Sequence, residues 1–471
     1  MKLILSIIFF IILCLNAGAQ KKLSLKEAIE TGITNNLDVN QADLLMQKED
    51  VGLKQSKLSM LPDLNVRADH GANQGRSIDP FTNAFIDQNV DYASYGAASN
   101  LLLFNGGALQ NRIKSNKLGY EASRMELQQA KDNLTINIIL AYLNVLSAAD
   151  ILESSQSLSS VTEKQVERLD ILNQSGAVAP SLFYDLKGQL ANDQIAIVEN
   201  RNSMEIAKLN LAQLMNVAYD KGLELERISL DTFNTNYPDD PRKIYQSALD
   251  QFAQVKAVHF RSESSRKNIN SIKGQLFPTL LFSANMNTNY SSVATQSFFA
   301  NTTIVPTGDY VEVSGSQLPV ITKRNNFDTR KIQFGDQLKN NKFTTFNLGL
   351  MVPLFNGSRV RSQVKLARID LKNAELVEQN TKNQLQQSIE RAYVNVVSTA
   401  EKYKLLMDQV NSFRESFRAA EILFNSGASN SVDYLIAKNN LDRTTTNLII
   451  SKYDFVLRTK VLDYYEGKPL W

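Results

Sequence analysis

The feature that most restricts this chain is a repeat. Leu103-Phe104-Asn105-Gly106 and Leu354-Phe355-Asn356-Gly357 carry the same four residues, and the subtraction 354 − 103 sets them 251 positions apart. Ala141-Tyr142 returns as Ala392-Tyr393 at that spacing, and Ser175-Gly176-Ala177 as Ser426-Gly427-Ala428. A constant offset over so long a span means that one unit has been laid down twice, with no gap from the Leu-Phe-Asn-Gly box onward. Whatever one half folds into, the other must fold into as well.

Each box stands where the hydrophobic period changes. Alternation of two precedes it and a helical pattern follows, and Asn-Gly tolerates the left-handed backbone angles such a change needs. From Ala108 to about Gln174 there is no proline and one glycine, Gly119. Leu127, Leu134, Ile138, Ala141, Val145, Ala148 and Leu152 fall seven apart, then four and three in alternation, which is a coiled-coil seam. A helix of roughly 65 residues is about 100 Å long. Val360 to Asn425 repeats the pattern, with Leu385, Ile389, Ala392 and Val396 on the seam. Ser-Gly-Ala ends each long helix, because glycine suits a helix C-terminus, and Pro180 opens the next one. The shorter helices that follow carry Leu190, Ile197, Met204 and Leu211 in one half, and Leu441, Leu448, Phe455 and Leu462 in the other, one heptad apart.

Upstream of the boxes, helices are predicted from Leu23 to Met60 and from about Lys243 to Gln275; Pro62 and Pro278 stop them. Strands are predicted at about 63–73, 92–104, 279–290 and 343–355. In the third, Leu280, Phe282, Ala284 and Met286 alternate with Leu281, Ser283, Asn285 and Asn287; in the fourth, Phe346, Leu348, Leu350 and Val352 share a face. These eight are the expected lipid-facing residues. The segments from about 73 to 91 and from 291 to 342 read as polar loops. Pro62 and Pro278 are 216 apart (278 − 62), so the second strand-to-strand connection is 35 residues longer than the first (251 − 216).

Residues 1–19 read as a signal peptide: Met1-Lys2, an apolar run from Leu3 to Leu15, then Ala17-Gly18-Ala19 before Gln20. Domains are therefore expected at 1–19, 20–240 (first repeat, tip at 175–180, linker from 219 to 241) and 241–471 (second repeat, tip at 426–430). The only cysteine, Cys14, lies in the leader, where Leu13 before it disfavours lipidation. Disulfides and Cys-based metal sites are excluded from the rest. The formal charge is +3, and +2 without Lys2, with no basic block, which argues against a nucleic-acid partner. No later run approaches about twenty continuous apolar residues, so no membrane-crossing helix is expected. His70 and His259 have no ligand partners at metal spacing, and no nucleophile or phosphate-loop motif is present. No catalytic residue, metal or cofactor is expected.

Each half is then short helix, strand, strand, long helix, tip, short helix. Two stacked short helices would match one long helix, giving a tall antiparallel helical cylinder with four strands at one end and the tips at the other. Four strands cannot close a barrel, and open edges are not tolerated in a bilayer, so several chains must pool their strands. Apolar-out, polar-in strands would meet lipid and water, and the molecule would be a conduit. The alternative is a secreted periplasmic helical scaffold or adaptor without a barrel, which leaves the amphipathic strands unexplained.

The leader, the duplicated order, the boxes Leu103–Gly107 and Pro353–Gly357 and the Ser-Gly-Ala tips resemble the TolC-like outer-membrane efflux protein family. The likeness covers essentially the whole chain after the leader. It implies a mainly α fold with a β membrane part: a duplicated long-helix α-barrel, and four strands per chain contributing to a trimeric twelve-stranded β-barrel. It also implies a homotrimer in the outer membrane extending into the periplasm. A periplasmic adaptor and an inner-membrane pump would dock there, for efflux of small molecules or secretion of proteins. Ser175, Gly176, Ala177, Ser426, Gly427 and Ala428 are the expected adaptor contacts. Arg168, Tyr184, Asp185, Asp433 and Tyr434 are candidates for a pore gate, with Arg168 pairing the carboxylates. Two departures stand out: Leu102 replaces the proline of Pro353, and Leu182 occupies the position of Asp433. Trp471 ends a helical tail, so it is not read as a barrel-insertion signal.

Overall fold

The structure is a computed structural model that describes residues 22–79, 83–228 and 240–468. The leader with Cys14, the loop residue Pro80, the part of the linker from 229 to 239 with Pro238, and the tail with Pro469 and Trp471 lie outside the described residues. The chain forms two compact units: Met1–Gly52 with Ser115–Arg266 and Ile369–Trp471, and Leu53–Lys114 with Lys267–Arg368.

In chain order the elements are α1 (Leu25–Asn35), α2 (Leu37–Leu58), β1 (Asn65–Asn73), β2 (Arg76–Ile78), β3 (Phe85–Asp87), β4 (Val90–Asn105), α3 (Ala108–Gln174) and α4 (Pro180–Leu214). The second half has α5 (Pro241–Gln251), α6 (Ala253–Gly274), β5 (Thr279–Ser291), β6 (Thr295–Val313), β7 (Ser316–Lys331), α7 (Phe334–Asn340), β8 (Phe343–Met351), α8 (Arg359–Asn425) and α9 (Ser431–Glu466). The long helices α3 and α8 each hold 67 residues and start 251 apart (359 − 108).

The first unit is helical. Leu134, Ile138, Tyr142 and Val145 of α3 pack with Ile29 of α1 and Leu211 of α4 in one core cluster. Ile389 and Val396 of α8 pack with Ile244 of α5 and Phe455 and Leu462 of α9 in another. Tyr142 is fully buried, and its hydroxyl donates between the carbonyls of Leu23 and Glu226, at 2.8 and 2.7 Å. One stretch of α3 is long and apolar enough to cross a membrane by length and composition alone. Half of it is buried, and its apolar residues supply the first core cluster, so the stretch belongs to the interior of this unit.

Each upstream helix is broken, where the sequence pattern predicts continuity. The breaks fall at Asn36 and Phe252, 216 apart (252 − 36), and both residues have extended backbone. Asn36 turns the break into a cap: its side-chain oxygen accepts from Asp38 N–H at 2.9 Å and Val39 N–H at 3.3 Å. The starts match too. Ser24 forms a capping box with Glu27, and Asp240 accepts from Arg242 N–H.

The second unit holds a four-stranded antiparallel sheet in the order β1-β4-β5-β8. The pairing of β4 with β5 joins the two halves of the chain. The predicted loop from 73 to 91 contains a small β2–β3 hairpin. The predicted loop from 291 to 342 is a long β6–β7 ribbon followed by α7. Residue types misled the reading there: Thr, Asn and Asp make these strands polar overall, yet backbone pairing needs no apolar face. The last sheet strand ends at Met351 rather than 355, so the second box and Val352 lie beyond it.

Candidate functional site

The sheet sorts its side chains by face. Cross-strand partners in an antiparallel pair share a face. Met286 pairs with Ala97 and Thr344, Ala284 with Ser99 and Phe346, Phe282 with Leu101 and Leu348, and Leu280 with Leu350. On β1, Val66 joins this face through Ala97, and Ala68 through Tyr95. The opposite face carries Ser283 between Asn100 and Asn347, and Asn285 between Ala98 and Thr345. Arg67 and Asp69 also lie there, with Arg67 Nε donating to Asp69 Oδ2 at 2.6 Å. One face is thus mainly apolar, interrupted by Ser99 and Thr344, and the other is rich in amide and hydroxyl groups. The apolar face is bare: Phe346, Leu348 and Leu350 are 71%, 61% and 66% exposed. All the expected lipid-facing residues except Val352 sit on it.

The two boxes are built alike where the backbone turns. Gly106 and Gly357 have φ of 64° and 63°, and the next residues, Gly107 and Ser358, have φ of 74° and 60°. Two successive left-handed residues turn the strand direction into the helix. They differ in setting. Leu103, Phe104 and Asn105 still belong to β4, which bulges between Leu102 and Phe104, and Asn105 Oδ1 accepts from Leu109 N–H at 3.2 Å in the first turn of α3. Leu354 and Phe355 are unpaired and 93% and 87% exposed, and the Asn356 carbonyl accepts from Arg359 N–H.

The tips are Schellman turns. Ala177 N–H donates to the Leu172 carbonyl at 2.8 Å and Gly176 N–H to Asn173 at 3.1 Å; Ala428 and Gly427 repeat both bonds to Leu423 and Phe424. Gly176 and Gly427 have φ of 68° and 74°. Ser175, Gly176, Ala177, Ser426, Gly427 and Ala428 are all exposed.

The gate candidates divide. Tyr184, Asp185 and Asp433 are exposed. Asp185 accepts from Ser431 Oγ at 3.0 Å, which ties the two tips together, and Asp433 N–H donates to the Asn430 side chain at 2.9 Å. Arg168 does not pair with these carboxylates. Its guanidinium donates to the side chain and carbonyl of Asn425, closing the last turn of α8. Tyr434 lines no pore: it is fully buried, stacked on Phe424 at 4.8 Å and packed with Phe183, Leu169 and Leu186. Tyr434 matches Phe183 at the 251 offset, so each short helix opens with an aromatic plug that closes the core under its tip. Burial holds the Tyr434 hydroxyl well above the usual tyrosine range.

Sequence reasoning missed a buried charge cluster two turns from the second tip. Lys438 is 1% exposed and bonds Asp193 at 3.0 Å and Asp442 at 2.6 Å. Asp193 also accepts from Thr162 Oγ1 at 2.5 Å and Gln189 Nε2 at 2.8 Å. Burial pushes the Asp442 carboxyl above its ordinary value, against the pull of Lys438. The signal was available: Lys438 lies four residues after Tyr434 and three before Leu441, on the seam itself.

The family profile described as "Outer membrane efflux protein" matches residues 28–217 and 244–459. Outer membrane protein TolC of Escherichia coli (strain K12) is 21% identical over 337 residues, 70% of this chain and 60% of that protein. The match therefore spans under two thirds of TolC. Outer membrane efflux protein BepC of Brucella suis biovar 1 (strain 1330) is 19% identical over 393 residues, 79% of this chain and 72% of that one. The solved structure of VceC from Vibrio cholerae aligns with a TM-score of 0.74 at 15% identity, covering 95% of this chain and 97% of that one. At that identity the likeness is one of fold.

Proposed function

Because the chain belongs to the outer membrane efflux protein family, we propose that it is the channel component of an export assembly. It is a TolC-like protein of the outer membrane that extends into the periplasm. Three copies pool their sheets into one barrel of roughly twelve strands, and their long helices form a tunnel. Small molecules or secreted proteins pass through. A periplasmic adaptor seats on the exposed tips around Ser175–Ala177 and Ser426–Ala428, and an inner-membrane pump drives the cargo. Tyr184, Asp185 and Asp433 face the narrow end and act on what enters it.

One observation carries this reading. The sheet has a bare apolar face, an amide-rich face and two outer edges, on β1 and β8, with no partner among the described residues. In water such a sheet is an aggregation hazard. In a bilayer it is tolerable only when closed, with the apolar face toward lipid and the polar face toward a water-filled lumen. A periplasmic scaffold has no use for it.

The test is reconstitution. Full-length protein extracted from membranes and added to a planar lipid bilayer should give discrete, ohmic conductance steps. Recovery in the soluble periplasmic fraction, with no conductance, overturns the proposal.

A further inference from the structure

The apolar face does not simply stop at its far rim. Met286, Tyr95 and Ala97 line a cleft of about 280 Å³ on that face, with Val66 and Thr288, and Lys342 closes it on one side. Lys342 immediately precedes β8 and is exposed, with no carboxylate partner among the described residues. On β8 this is the end away from the helix joint, since α8 leaves after Met351, while on β1 the lining residue Val66 follows the joint with α2 closely. From Leu350 back to Lys342 the face measures about 26 Å along the strand, which the strand tilt of about 40° in outer-membrane barrels turns into about 20 Å of height, most of their apolar band of about 25 Å.

The chain beside the cleft is held down. Gln337 of α7 is 1% exposed and accepts from Ser291 N–H at 2.9 Å while donating to the Ser291 carbonyl at 3.0 Å. Thr288 Oγ1 donates to the Leu338 carbonyl at 2.7 Å, and Asn341 Nδ2 to Asn289 at 2.8 Å. Tyr290 meets Phe334 edge to face at 4.9 Å. Thr288 and Tyr290 belong to the apolar face, so α7 lies against its rim. Between 331 and 342 the chain carries Lys331, Lys339 and Lys342 against one acid, Asp336. Phe334 is 45% exposed beside them. An exposed aromatic and unopposed lysines at the edge of an apolar band is the chemistry of the headgroup layer, where lysine lays its stem on apolar surface and its ammonium in the phosphate zone.

We infer that this cleft holds an anionic phospholipid, an acyl chain against Tyr95, Ala97 and Met286 and the phosphate on Lys342. The inference rests on the channel reading, which supplies the membrane. Charge complementarity selects the occupant: a zwitterionic lipid offers the ammonium less, and free phosphate has nothing to place in an apolar cleft.

The test uses the membrane-extracted, full-length assembly in dodecyl maltoside, with dioleoylphosphatidylglycerol or dioleoylphosphatidylcholine added, and native mass spectrometry to count retained lipids. Phosphatidylglycerol should be retained in preference. Lys342→Glu should weaken that retention about fivefold, whereas Lys404→Glu, on α8, should leave it unchanged. Ala97→Phe should fill the cleft and abolish retention with the assembly intact. Equal retention of both lipids, indifference to Lys342→Glu, or displacement of the lipid by inorganic phosphate at equal concentration overturns the inference while the channel stands. So does loss of assembly in Ala97→Phe, which would make the cleft a contact between copies. Protein that never enters membranes removes the channel reading and this inference together.

Discussion

At the scale of single residues, the same motif does unequal work in its two copies. A Cβ on Gly106 would sit 2.4 Å from the Gly274 carbonyl oxygen and 2.5 Å from Phe277 Cβ, whereas a Cβ on Gly357 meets nothing within 4 Å. Both residues have positive φ. Gly357→Ala should therefore cost about 1 kcal/mol of backbone strain, and Gly106→Ala clearly more. Thermal unfolding of the detergent-solubilised protein ranks them, and equal midpoints would contradict the geometry. The Lys438 cluster gives a second prediction. Lys438→Ala leaves Asp193 and Asp442 buried without their cation and should destabilise by about 3 kcal/mol at neutral pH. The sign with pH follows from the carboxylates. Burial already holds the Asp442 carboxyl above its ordinary value, and without Lys438 that rise is unopposed, so the loss is fully present at neutral pH and shrinks as pH falls through the carboxylate range. A loss that persists unchanged at pH 4 would mean that packing, not charge, is what Lys438 supplies. Residues of this kind are where the sequence is least legible. The Leu-Phe-Asn-Gly boxes, the glycine tips and the alternating strand residues announce themselves by pattern. The burial of Tyr434 and the choice of Asn425 by Arg168 depend on which helix lies opposite, and a heptad pattern does not name its partner.

At the scale of elements, the heptads and the two offsets locate the long helices, and the alternation locates the four sheet strands. Two features escape that logic. The breaks at Asn36 and Phe252 leave no mark on helical periodicity, because a single extended residue displaces the pattern only slightly. The β6–β7 ribbon escapes because its exposed strands mix apolar and polar residues on both faces. The ribbon is also separable. β6 pairs only with β7 among the described residues, and its base is closed by Ile332 N–H donating to the Ala294 carbonyl at 3.1 Å. The two ends of the segment 295–331 therefore already meet. Excision of that segment with a short Gly-Ser link should leave membrane insertion and the size of the conductance steps unchanged. Failure to insert would show that the ribbon contributes to assembly rather than decorating it.

At the scale of the whole molecule, everything turns on what pairs with β1 and β8. The strands of the sheet alternate in direction, so the outer edge of β8 presents itself antiparallel to the outer edge of β1 of another copy, which is the pairing a closed barrel needs. Within one chain these edges cannot meet. β4 and β5 lie between them, and three spacings of about 4.8 Å separate the outer strands by about 14 Å, twice the reach of a disulfide. Any disulfide between β1 and β8 must then join two chains. The chain has one cysteine, Cys14, so a Cys14→Ser background carries no native thiol. In that background, Ala68→Cys can be combined in turn with Thr344→Cys, Phe346→Cys and Leu348→Cys, all on the same face, and oxidised in the membrane. One register should crosslink efficiently. Because each chain then donates to one neighbour and accepts from the other, the covalent product should stop at three chains. Non-reducing electrophoresis reads this directly. A ladder running past three means an open polymer, a product that stops at two means a different closure, and no crosslink at any register means that the sheet edges are covered by something other than a second copy.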